Sequence, residues 1–224
     1  KFGIKKLILF LSFIISEHIV TASMTSFPIK SKKVHVIGHA VDLVNFYNKK
    51  EEYKLHNFLI LSRISPSKNI EIAIDGFLNS KFKDCNLDII GGPLNKNDEV
   101  YFAKLKEKYS TNNVNFLGKI NHTNLPEVLK NYDVHFNCAK NGFFDKSVLE
   151  TLSCEIINFY VNKDFNILFE NNLYQFDDSS ELSRKLDNLT KLSTEEIKDT
   201  LHKSKKELQN NSLSSLNSRL EPYL

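Results

Sequence analysis

Cysteine is scarce: Cys85, Cys138 and Cys154 are the only three in 224 residues, odd in number and far apart. That pattern excludes a disulfide scaffold and offers no metal-ligand spacing, so the three read as reduced, half-buried packing residues. Neither sign of charge dominates. Thirty Lys and Arg against 27 Asp and Glu leave a formal +3, too little to argue for nucleic acid. Long hydrophobic runs are missing too, since the apolar stretch at 7–15 is too short to span a bilayer. There is no low-complexity tract and no internal repeat. A Walker loop, a GxGxxG after a strand, a GxSxG and an HExxH are all absent, which excludes the usual phosphate cradles and the commonest hydrolase signatures. The seven histidines are dispersed and read as surface or packing residues.

What is present is an alternation. Apolar, strand-like runs occur at "NFLILSRI", "LDIIGG", "VNFLG", "VHFNCA" and "IINFYV". Between them lie helix-like stretches at 70–79, 98–109, 125–131 and 146–153. This pattern predicts a parallel sheet covered on both faces, a doubly wound, Rossmann-like α/β domain with right-handed crossovers. The ends differ. Residues 1–44 hold an apolar helix, "HIVTAS", the basic turn "SFPIKSKK" and the short strand "VHVIG". A signal peptide, with Lys5 and Lys6 ahead of an apolar core, is the weaker alternative for the start, because the segment flows into a strand-like stretch. The tail from Ser179 is helical and polar, with Ser193 and Glu196 forming a capping box and the "DD" at 177–178 another helix start.

In an open α/β sheet, ligands bind outside the carboxyl ends of the strands. Those ends carry Arg63, then Gly91 and Gly92, then Gly118, then Ala139 to Gly142 leading into "FFDKSVLE". Glycines there let a backbone approach a ligand, though they also serve plain turns. Arg63 and Lys68 fall on the same edge beside a helix start and would suit a diphosphate. As loop residues, both are expected to be dispensable for folding. In "NGFFDKSVLETLSC", Asp145 is placed to cap a helix, while Lys146 opposes the helix dipole unless an anion is near. Glu150 either pairs with Lys146 one turn away or accepts hydrogen bonds from vicinal hydroxyls; spacing leaves both open.

These motifs resemble, in order and spacing, the C-terminal half of the family-four retaining glycosyltransferases, most strongly over residues 58–154. "LSRISPSKNIEIAIDGF" is similar to that family's "GRL-x-PEKG" segment, "DIIGGP" to "IVGDGP", and "DKSVLETLSC" to the "DKxVLEAMAC" variant. The resemblance implies one half of a GT-B fold and a nucleotide-sugar donor. Arg63 and Lys68 would act in catalysis by holding the diphosphate. Gly91, Gly92, Gly118, Gly142, Asp145 and Lys146 would line the donor site, and Glu150 would hold the ribose hydroxyls. It implies no cofactor and no required metal, and a glycan or lipid-linked acceptor. A cytoplasmic protein is expected, peripheral at most at the inner membrane.

Three departures accompany it. Gly142 stands where the family's first motif Glu would contact the sugar, which blurs sugar identity. Ala40 replaces a linker Gly. Residues 1–44 look like the remnant of an acceptor domain, 45–205 the donor domain and 206–224 a crossover helix, so the chain alone is expected not to turn over substrate. The rivals are a GT-B epimerase, whose carboxylate and His set cannot be assembled here, and a noncatalytic partner module, which predicts no nucleotide affinity.

Overall fold

The computed structural model describes residues 2–110, 113–169 and 173–224. All five apolar runs become strands of one parallel sheet: β3 (Asn57–Leu61), β4 (Asn86–Ile90), β5 (Val114–Gly118), β6 (Val134–Asn137) and β7 (Ile157–Tyr160). They are preceded by helix α1 (Phe2–Ile15) and by β1 (Ile19–Thr21) and β2 (Val34–Val36), which form a separate two-stranded parallel sheet. Helices α2 (Ile70–Leu78), α3 (Lys96–Tyr109), α4 (Leu125–Leu129) and α5 (Lys146–Ser153) connect the strands of the large sheet. Helices α6 (Ser179–Leu189), α7 (Thr194–Leu208) and α8 (Leu216–Leu220) follow.

The strand order is β5-β4-β3-β6-β7, every pairing parallel. Both faces are covered, and the strands record it. In β3, Phe58 and Ile60 enter one hydrophobic cluster and Leu59 the other, all buried. Every residue of β6 and β7 is buried, as expected of parallel strands clothed on both faces, although β7 is the last strand of the sheet. The chain winds outward one way from β3 through β4 to β5, then returns to β6 and β7 on the other side. The loops leaving β3 and β6 therefore diverge, and a crevice opens between them.

The tail helices bury only one stripe each: Leu182, Leu186 and Leu189 on α6, and Ile197, Leu201 and Leu208 on α7. Asp178 caps α6 by accepting from the Glu181 amide, and the Ser193–Glu196 capping box opens α7. The last residues return to the small sheet. Leu213 N–H donates to Val41 O, the Arg219 guanidinium donates to the carbonyls of Ile37 and His39, and Tyr223 stacks on His35 at 4.1 Å. Helix α1 leaves Leu7, Ile8, Phe10 and Ile15 exposed. Among the described residues no helix is long and apolar enough to cross a membrane.

Candidate functional site

A cleft of about 500 Å³ lies at the carboxyl edge of the sheet, at the point where the strand order reverses. Four chain segments build it. The turn after β3 brings Arg63 and Lys68; the ends of β4 and β5 bring Gly91, Gly92, Lys119 and His122; the start of α5 brings Asp145, Lys146 and Glu150. Four cations face two carboxylates in this lining. Two larger hollows lie elsewhere, one between the ends of β1 and β2 and the C-terminal segment and one among the lysines near Glu155.

The turn after β3 is held from inside. Ile64 buries its side chain completely, and its N–H donates to Gly92 O at 3.1 Å. Pro66 opens a single 3₁₀ turn that ends with Lys68, and Asn69 adopts the left-handed conformation before α2 begins. Arg63 is left exposed at the cleft, and among the described residues it has no ion-pair partner.

Lys68 is different. Its side chain is 9% exposed, and Nζ contacts both Asp145 carboxylate oxygens, at 2.5 and 2.7 Å. It also stands over the Phe143 ring, 5.0 Å from the centroid. The expectation that Lys68 is a free loop cation is therefore corrected: it is a buried half of an ion pair. Asp145 is corrected with it. The residue occupies the N-cap position of α5 with extended backbone, but its side chain makes no capping bond. Its carboxylate accepts from Lys68 and from Asn137 Nδ2 at 3.0 Å instead. The first turn of α5 consequently keeps N–H groups without a side-chain cap, beside exposed Lys146. A cation at that position is unfavourable to the helix by itself.

Glu150 is buried and does not pair with Lys146. Its Oε1 accepts from His122 Nε2 at 3.0 Å. His122 and Lys119 were not singled out by sequence, because a lone His and a lone Lys after a strand carry no pattern. The usable signal was position, since both follow the carboxyl end of β5.

Gly91 and Gly92 line the cleft and are required there in different degrees. Gly91 has φ +146°, and a Cβ on it would lie 1.8 Å from Ser62 O. A Cβ on Gly92 would press only on the flexible Lys119 side chain. Gly118 and Gly142 do not line the cleft. Both have positive φ and serve turns. Gly118 O accepts from Gly91 N–H, and Gly142 N–H donates to Thr25 Oγ1, facing the segment after β1.

The linker after β2 reaches the same turn. His39 Nε2 donates to Phe144 O at 2.5 Å, which places the proton on Nε2, and burial holds the imidazole below its ordinary value. The cysteines stay out of the chemistry: none is paired, and burial pushes the Cys138 and Cys154 thiols up to about 12. Among the described residues no group of three or more His, Cys, Asp or Glu could hold a metal ion.

Solved structures share this architecture. That of Anabaena Alr3699/HepE in complex with UDP and glucose aligns with TM-score 0.81 at 15% identity, covering 97% of this chain and 65% of that one. A glycosyltransferase from Rickettsia africae ESF-5 aligns with TM-score 0.75 at 17% identity, over 92% of this chain and 62% of that one. S. aureus TarM, in a complex that includes UDP, gives 0.71 at 15%, over 98% and 46%. At such identities the likeness carries the fold, a Rossmann-like half of a GT-B enzyme, and this chain spans under two thirds of their lengths. No curated protein matches the chain. Residues 44–207 match the profile described as Glycosyl transferases group 1, and with that match over most of its length the chain belongs to this family.

Proposed function

We propose that the cleft binds a nucleoside diphosphate sugar and that the chain supplies the donor side of a retaining glycosyl transfer to a glycan or lipid-linked acceptor. The observation that carries this is the distribution of charge. Arg63, Lys119 and Lys146 converge on the cleft without ion-pair partners among the described residues, beside the uncapped start of α5. A buried carboxylate, Glu150, stands in the same cleft. Cations and helix N–H groups suit a diphosphate, and a carboxylate suits the vicinal hydroxyls of a ribose.

In transfer, negative charge grows on the departing diphosphate. Arg63 presents a planar fork to it, Lys146 and Lys119 add point charges, and the α5 N-terminus adds its dipole. Lys68 acts at one remove, by fixing Asp145 and with it the start of α5. On this reading no metal is required, because these side chains supply the positive charge. Solved neighbours bind UDP or UDP-glucose, which supports UDP as the first ligand to try.

Calorimetric titration with UDP and with uridine tests the proposal. Saturable binding of UDP, much weaker for uridine, is expected. A chain that binds no nucleoside diphosphate would favour a noncatalytic partner module.

A further inference from the structure

We propose, resting on the reading that the cleft takes a nucleoside diphosphate, that His122 is a positioning residue for ribose recognition, acting through Glu150. The Glu150 side chain is 8% exposed, whereas that of His122 is 68% exposed. A buried carboxylate needs hydrogen-bond donors. Among the described residues, His122 Nε2 at 3.0 Å is the one donor to it. A carboxylate only accepts, so Nε2 carries the proton and Oε1 is occupied.

Among the described residues the arrangement leaves Oε2 without a protein donor, in a cleft also lined by Lys119, Lys146 and Ser147. The imidazole is itself backed by Phe46, whose buried ring lies 5.1 Å from it at a tilt. An exposed side chain contributes little to the core. What this one does is hold one oxygen of Glu150 and so fix the direction in which the other can accept a hydroxyl. His122 therefore tunes the nucleoside end of the donor site, and the diphosphate end is left to Arg63 and Lys146.

The test is calorimetry with UDP and 2′,3′-dideoxy-UDP on the wild type, His122→Ala, His122→Gln, Glu150→Ala and the double variant His122→Ala/Glu150→Ala. For UDP, His122→Ala is expected to lose on the order of tenfold in affinity, the size of one hydrogen bond to a charged group. His122→Gln, which keeps an N–H near the Nε2 position, should recover most of that loss. The dideoxy ligand should bind the wild type, His122→Ala and His122→Gln alike. In the Glu150→Ala background, His122→Ala should cost nothing further, which is the coupling a double-mutant cycle detects. Equal UDP affinity for wild type and His122→Ala, or the same loss for both ligands, overturns the positioning role and leaves the functional reading intact. A wild type that binds neither ligand overturns both.

Discussion

Lys68 Nζ bridges both carboxylate oxygens of Asp145 across 77 positions of sequence, tying the turn after β3 to the start of α5. The pair spans the mouth of the crevice at the strand-order reversal, so it closes the fold at the same place where it shapes the cleft. Among the described residues, removing Lys68 leaves the carboxylate of Asp145, 20% exposed in its side chain, with Asn137 as its one hydrogen-bond donor. We expect Lys68→Ala to destabilise the fold by about 2 kcal/mol, less than the full penalty for a deeply buried pair because Asp145 reaches some solvent. Urea unfolding checks it, and an unchanged midpoint would remove Lys68 from the structural account.

Arg63 should behave in the opposite way. It is exposed and has no ion-pair partner among the described residues. Arg63→Ala is expected to shift stability by no more than about 0.5 kcal/mol. Its affinity for UDP should fall roughly tenfold to a hundredfold, the loss of a charge-assisted contact. Titration with UDP and uridine separates phosphate contact from base contact, because the uridine affinity should not move.

Lys146 predicts a trade. It places a positive charge at the positive end of a helix dipole, at the first position of α5. Lys146→Ala should therefore raise stability by about 0.3–1 kcal/mol while weakening UDP binding. A variant that lost both stability and affinity would mean that Lys146 is a packing residue and not a cation held for an anion.

Much of this was legible in the sequence, and the reasons are physical. Strands β3 to β7 are short apolar runs bounded by polar turns, a pattern that depends on local chemistry alone. The carboxyl-edge rule then placed Arg63, Gly91, Gly92, Asp145, Lys146 and Glu150 around one crevice. What was not legible depends on pairs far apart in the chain. Asp145 has every local mark of a helix cap, yet Lys68 outcompetes the backbone for its oxygens. Glu150 has Lys146 one turn away, yet it bonds a His from another loop. Gly118 and Gly142 share the strand-end position of Gly91, but their positive φ serves the turn itself and not the cleft.

Gly91 should be the least replaceable residue of the site. Its φ of +146° disfavours any side chain, and a Cβ would meet the Ser62 carbonyl oxygen at 1.8 Å, a backbone atom that cannot swing away. The Gly91 N–H also donates to Gly118 O at 2.8 Å, so a shift of this peptide would disturb the β4–β5 pairing. Gly91→Ala is expected to cost at least about 3 kcal/mol. Gly92→Ala, which meets only the Lys119 side chain, should cost far less. Comparable midpoints for the two variants would show that the turn after β3 can relax.

The pH dependence of stability should be traceable to a histidine outside the site. His135 lies in β6, fully buried, with Nδ1 donating to Asn158 Oδ1 at 2.7 Å. Burial pushes its imidazole down to about 4 from an ordinary value of 6.5. Between those two values the unfolded chain binds a proton that the folded chain refuses. Stability contributed by the neutral ring is therefore complete above about pH 6.5 and is lost as pH falls toward 4. From pH 7 to pH 5 the loss amounts to about 2 kcal/mol. His135→Asn keeps an amide donor near the Nδ1 position but has nothing to protonate. Its unfolding midpoint will be lower at pH 7, yet it should fall less than the wild type between pH 7 and pH 5. Urea titrations of both proteins at the two pH values measure that difference, with carboxylate contributions common to both cancelling. Equal losses would mean that the buried His135 ring does not carry the acid sensitivity.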